Sequence, residues 1–351
     1  MPTNNFIVTS LPAYVENNRD VLLKNFGLVG TDTRRRIGLQ TGIKKSAYLN
    51  YLEVSPTLQD ASGCGMEPAG DVTLTQRTIN VATIGIDLPI CAKKLLGKWA
   101  EYLVRVNASA DSLPFEQFIM DGVTAEINKK IEKLIWQGDT SKTTDSNLKW
   151  IDGFLKQMGA DSDVIDVPIT AGTSAFQGFL DVYNAMPEEV LERGGVIFAS
   201  PTIYRIFVQE LVALNFYHYS GPQDSYPEEF VLPGTDVRII KTPGLAGSLQ
   251  VVGTWAENLV YGTDFENDEE DIIVEYDKKK QIFDIIASWN SGVAYAFPNY
   301  IVLGEFASAP ARPKFSADAI AAIAANTENI GTAVSTLASD EHVFKTKEQA
   351  E

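Results

Sequence analysis

Between residues 114 and 137, apolar side chains return every three or four positions, at Phe115, Phe118, Ile119, Val123, Ile127, Ile131, Leu134 and Ile135. This period predicts one amphipathic helix of about 24 residues, spanning roughly 36 Å. Asp111 and Ser112 are candidate N-caps and Pro114 suits the first turn. Lys129, Lys130 and Lys133 approach the negative pole, and Gly138 stands where a left-handed cap would sit.

Elsewhere the period shortens to two. "SAYLNYLEV" (46–54) and "VTLTQRTINVATIGI" (72–86) read as strands flanking the turn-rich "SPTLQDASGCGMEPAG". Residues 38–86 therefore form a long two-stranded excursion. Such a hairpin is marginal in water and has to lie on another surface. A shorter helix is expected over 89–105, with Leu95, Leu96, Trp99, Leu103 and Val106 near one face.

From 165 onward the pattern is mixed. A helix carrying Phe176, Phe179, Leu180, Val182 and Tyr183 leads to the buried strand "GGVIFASP" (194–201) and a helix over 202–215. Strands follow at 234–244, 248–255 and 258–262, then "DIIVEYD" and the long "QIFDIIASWNSGVAYAFPNYIVL", joined by a turn at 278–280. The first 37 residues have little periodicity and read as an extended arm. After the linker "SAPARPKF", Ile320, Ile323, Thr327, Ile330, Val334 and Leu337 are spaced 3-4-3-4-3, a short heptad seam with one polar position. An isolated helix this short and Ala-rich is marginal, so the seam is expected to dock on its own or a neighbouring body and to contribute to subunit contact.

Charge sharpens this division. Residues 1–150 carry 17 basic and 16 acidic side chains, while the remaining residues carry 12 and 30, a net charge of −18. Within the first part, Arg19, Lys24, Arg34, Arg35, Arg36, Lys44 and Lys45 face only Asp20 and Asp32 over residues 19–45. A basic arm on an acidic body can pair with a neighbouring copy, and Arg34, Arg35, Arg36, Lys44 and Lys45 are the candidates for that contact. The arm could instead touch nucleic acid, but the acidic body would repel phosphate over most of its surface.

Candidate chemistry is sparse. His218 and His342 are the only histidines, and neither has a triad or metal-ligand context. Phosphate-loop, dinucleotide, nucleophile-elbow and zinc-protease motifs do not occur. Cys64 and Cys91 lack metal-site spacing and read as idle thiols. Asp264, Glu266, Asp268 and Glu275 match positions 1, 3, 5 and 12 of a calcium loop, but Glu269 replaces the turn glycine, so the segment reads as a solvated loop tip. Glu188/Glu189 and Glu228/Glu229 are sequence neighbours and define no two-sided carboxylate pair. No catalytic residue, metal site or cofactor is expected. The absence of a run of about 18 apolar residues and of a signal-like N-terminus reads as cytosolic, without a membrane partner.

The order of parts carries a resemblance. A basic arm, a long β excursion, a long helix leaving through Gly138 and Asp139, "IDGFL" at 151–155, an α/β body and the closing "WNSGVAYAFPNYIVLGEF" with Pro298 follow one another. Over roughly residues 15–306 this order resembles the major capsid protein of tailed double-stranded DNA bacteriophages. The resemblance implies an α+β fold in six parts. These are an N-terminal arm (1–37), an extended β loop lying across a neighbour (38–86), a peripheral domain (87–164) with spine helix 114–137, an axial domain (165–255), closing strands of the peripheral domain (256–306), and a linker with an Ala-rich helix (307–351). The tail after 310 falls outside the family pattern.

It further implies a non-enzymatic subunit that assembles with many copies of itself, as pentamers and hexamers, into an icosahedral head. Scaffolding protein, portal and decoration or auxiliary capsid proteins would be its partners. The shell would enclose DNA without sequence-specific binding, and would be built in the host cytoplasm to become part of the virion. An acidic inner face would keep packaged DNA mobile. The Lys and Asn that cross-link some relatives have no matched position. An encapsulin-type compartment shell and an α/β hydrolytic enzyme are the alternative readings.

Overall fold

The computed structural model describes residues 14–16, 32–59, 70–91, 115–214, 229–264, 271–277, 279–280 and 282–311. Helix α1 (Phe115–Gln137) occupies the segment that the period predicts. Ile119, Val123, Ile127, Ile131, Leu134 and Ile135 are buried, and Phe118 is half-buried. The helix also buries Met120, Glu132 and Trp136, which lie outside the apolar stripe. Its ending differs from expectation: the last turn holds no basic residue, and Gly138 is not among the glycines with positive φ.

Before α1 come β1 (Gly38–Gln40), β2 (Ser46–Pro56), β3 (Gly70–Asn80) and β4 (Ala82–Ile90). The hairpin β2–β3 is antiparallel, in register from Ser46 opposite Asn80 to Pro56 opposite Gly70. The stretch 72–86, read as one strand, is instead broken at Val81, whose N–H donates to Lys45 O at 2.9 Å. Beyond that break β4 leaves the hairpin and continues to Ile90, so the helix expected from 89 cannot begin there; its residues Leu95, Leu96, Trp99, Leu103 and Val106 lie outside the described residues.

After α1 the chain runs through α2 (Phe154–Ala160), β5 (Ile165–Ile169), α3 (Ala175–Ala185), α4 (Glu188–Glu192), β6 (Val196–Ala199) and α5 (Pro201–Ala213). It then forms β7 (Glu229–Val231), β8 (Arg238–Lys241), β9 (Gln250–Thr254), β10 (Leu259–Gly262), β11 (Asp271–Asp277), β12 (Ile282–Tyr295) and β13 (Val302–Phe306). Ser174 and Ser200 cap α3 and α5, their hydroxyls accepting from Gln177 N and Ile203 N. One sheet has the order β1-β10-β12-β11, with β4 also paired to β12; the other runs β5-β13-β9-β6-β8-β7.

The second sheet is covered on both faces. Val196 and Phe198 of β6 pack into the core built on α1, while Ile197 and Ala199 pack into the core under α3 and α5. This is why "VIFA" reads as a continuous apolar run rather than an alternating one. The closing segment, read as a single strand, also divides. β12 belongs to the first sheet and β13 to the second, with a short 3₁₀ turn at Pro298–Tyr300 between them. Buried Asn258 holds this crossover, accepting from Phe297 N at 2.7 Å and Ala296 N at 3.2 Å while donating to Phe297 O at 3.0 Å.

Candidate assembly surfaces

Residues 32–37 lie on the second face of α1. Thr33 Oγ1 donates to Glu132 Oε1 and accepts from Trp136 Nε1 at 2.8 Å, and Arg34 Nη2 donates to Asn128 Oδ1 at 3.0 Å. Asn128, Glu132 and Trp136 are spaced four apart and so form one helix stripe. The Arg34 guanidinium also stands 5.5 Å over the Tyr261 ring. Only 4% exposed, Arg34, a candidate for contact with a neighbouring copy, is engaged inside its own chain. Arg36 likewise pairs within the chain, with Glu229, which takes Arg238 at 3.3 Å as well. The hydrogen bond from Arg36 holds the Glu229 carboxyl below its usual range. A guanidinium packed against the core requires a local partner, because an unpaired buried charge is costly. Arg35, Lys44 and Lys45 are exposed, whereas Ile320, Ile323, Ile330, Val334 and Leu337 lie outside the described residues.

The root of the hairpin is fastened to the body. Arg77 forms an ion pair with Asp161 and stacks 4.5 Å over the Tyr295 ring, while Tyr295 OH donates to Asp161 Oδ2 at 2.8 Å. Burial raises the Asp161 carboxyl, but the bonds from Arg77 and Tyr295 outweigh it and hold the group below its ordinary range. Burial pushes the Tyr295 phenol up to about 12, with help from its bond to Asp161. On β2, the Tyr51 ring sits 4.6 Å from Phe297. On β3, Ile79 closes a small core with Ile43 and Ala294. Beyond this root Leu52, Val54, Leu58, Val72 and Leu74 are all more than half exposed.

The "QGD…IDGF" pattern is a backbone crossing. A Cβ at Gly138 would sit 2.5 Å from Ile151 O, and one at Gly153 would sit 2.7 Å from Gly138 N. Gly153 N donates to Gly138 O at 2.9 Å, and Asp139 N to Leu148 O at 2.7 Å. Lys156 Nζ bridges Asp139 and Asp152, at 2.7 Å from each. Lys156 and Ser141 together hold Asp139 well below the usual carboxylate range. These groups are ionised and mutually saturated; they staple a loop and present no nucleophile.

Among the described residues no group of three His, Cys, Asp or Glu is placed to hold a metal ion. Asp264, read as part of a solvated tip, is instead fully buried, whereas Glu275 is exposed. His218, His342 and Cys64 lie outside the described residues, and Cys91 is a half-buried free thiol.

No protein-family model and no curated protein sequence matches the chain. Solved structures do. A chain from the satellite phage P4 procapsid including size determination (Sid) protein aligns with a TM-score of 0.53 and 13% identity, over 83% of this chain and 98% of that one. A chain from the capsid of an empty GTA particle aligns with a TM-score of 0.50 and 10% identity, over 79% of this chain and 90% of that one. Identity this low speaks to architecture alone, and both alignments extend over nearly the whole of the matched subunit. The chain has the phage major capsid fold.

Proposed function

We propose that this chain is a structural subunit that assembles with many copies of itself into an icosahedral shell enclosing double-stranded DNA. One observation carries the reading beyond the fold: the β2–β3 hairpin is anchored at its root, yet its distal half exposes Leu52, Val54, Val72 and Leu74, which the described residues leave uncovered. A ribbon of this kind is stabilised by another surface.

In this reading residues 1–37 are the arm and the hairpin of residues 46–80 is the extended loop, since β1 and β4 on either side of it pair with strands of the body. Helix α1 is the spine of the peripheral domain, and the sheet carrying α3 and α5 is the axial domain that meets its copies around five- and six-fold axes. Scaffolding protein, portal and auxiliary capsid proteins are the partners such a shell uses. Catalysis has no part in it.

Expression of the chain alone, followed by size-exclusion chromatography and negative-stain electron microscopy, tests this. Closed shells, tubes, or rings of five or six subunits are expected. A discrete monomer that persists when a scaffolding protein is co-expressed would overturn the proposal.

A further inference from the structure

An open groove of about 870 Å³ runs along α1 beside β4. On the helix its lining extends from Phe118 to Leu134, a distance of roughly 24 Å. Ile86 and Leu88 line it from the strand, and Leu88 keeps 39% of its surface exposed, so sheet and helix do not close on each other there. Trp289 also lines the groove; it is 4% exposed, and its indole N–H has no acceptor among the described residues. A buried N–H without an acceptor is costly, so the occupant has to bring one. The mouth is acidic, with Asp87, Asp121 and Glu126 against Lys130.

The chain carries a segment of matching length and character beyond the described residues. From Ile320 to Leu337 the heptad seam spans roughly 26 Å as a helix. The positions flanking it are Ala319, Ala324, Asn326, Gly331 and Ala333, none of them charged. Charges at those positions direct the pairing of like helices, so a seam without them is not built to pair with itself. Small flanks let a helix settle deep between two walls, and uncharged ones meet no repulsion from the acidic mouth. Thr327, the polar member of the seam, brings a hydroxyl acceptor for the Trp289 N–H.

We propose that the groove receives residues 320–337 of a second copy, as a helix laid along α1. The linker selects a second copy over the chain's own body. The chain leaves the first sheet at the crossover before β13, and Pro310 and Pro313 then favour extended, semi-rigid backbone, which carries the segment outward instead of folding it back onto α1. Segment and groove lie on different parts of the subunit, so the contact is head-to-tail and repeats from copy to copy until a ring closes. The inference rests on the shell reading and gives a role in it to the residues after 310, which the family pattern leaves out.

Substitution in the full chain tests it first. Ile323→Asp with Ile330→Asp puts two charges into the seam and should lower particle yield roughly ten-fold. The urea midpoint of the unassembled subunit should not move, because the segment contributes nothing to its own subunit. Disulfide trapping then locates the contact, with Cys64→Ser and Cys91→Ser removing the native thiols. Asn326→Cys is combined with Glu126→Cys; one lies near the middle of the seam and the other near the middle of the groove, so they meet whichever way the segment runs. The comparison pair joins Asn326→Cys to Glu188→Cys, an exposed site on α4. Oxidised particles of the groove pair should give a ladder of covalent multimers on a non-reducing gel, and the comparison pair should not. A lowered urea midpoint, or a disulfide closed within one chain, would overturn the second copy in favour of the subunit's own segment. Normal yield from the double aspartate, the absence of a groove-pair ladder, or equal ladders from both pairs would overturn the groove assignment and leave the shell reading intact. A parent chain that makes no particles with or without scaffold would remove the shell reading and this inference with it.

Discussion

Gly122 within α1 and Gly138 one residue past its end show how far one residue type can differ in meaning. Gly122 lies on the exposed side of α1, where an added methyl group would meet nothing within 4 Å, so its only effect there is the entropy cost of glycine in a helix. Gly122→Ala should therefore stabilise the subunit by about 0.8–1 kcal/mol. Gly138→Ala meets the carbonyls of Ile151 and Leu134 at 2.5 and 2.6 Å, both rigid backbone atoms. It should destabilise by about 1–3 kcal/mol or more, through forced backbone displacement at the crossing with Gly153. Urea unfolding of the unassembled subunit measures both, and the two alanines should move the midpoint in opposite directions. A glycine after a helical period is consistent with a left-handed cap or a close crossing. Only the position of Gly153, fifteen residues on, distinguishes them.

Helix α1 and the hairpin were legible because each has a strong local period, of 3.6 and 2 respectively. The strand breaks at Val81 and at Phe297–Pro298 were not, since apolar β-type residues continue on both sides and only long-range pairing assigns each half to its sheet. The stripe Asn128, Glu132 and Trp136 was missed for a related reason: no local period marks it, and only the long-range contacts of Thr33 and Arg34 show that it is covered. The hairpin root makes a prediction about pH. Asp161 has a folded-state pKa below its unfolded value of about 3.9, so the stability it contributes is fully present above that value and is lost as pH falls through the depressed pKa. Asp161→Asn should cost about 1.5–3 kcal/mol at neutral pH, the range for hydrogen bonds to a charged group. That deficit should hold steady down to about pH 4 and close below it. Chemical unfolding of wild type and variant across this range measures the gap. A deficit that persists undiminished into strong acid would mean that packing around Tyr295, rather than the charge, fastens the hairpin.

In the proposed shell, the basic and acidic parts of neighbouring copies would pair, and burial limits which cations are exposed for that contact. Arg34 and Arg36 are committed to Asn128 and Glu229 of their own subunit, so reversing them would attack folding first. Lys44 and Lys45 are exposed beside the hairpin root, on a chain whose residues 151–351 carry a net charge of −18. Exposed pairs of this kind gain little each, about 0.2–1 kcal/mol, and salt screens them over roughly 8–10 Å at physiological strength. In a closed shell the same small term recurs at every copy, so its sum can decide whether assembly proceeds at a given subunit concentration. Lys44→Glu with Lys45→Glu should therefore raise the concentration needed for particles at low salt and lose most of that effect near 1 M, where the screening length falls to about 3 Å. Subunit stability should be unchanged, because neither lysine is buried. Light scattering across a salt series, with urea unfolding of the unassembled variant alongside, reads both quantities. A defect of equal size at every salt concentration would assign the two lysines to packing at the hairpin root and leave the acidic body without a role in holding neighbours together.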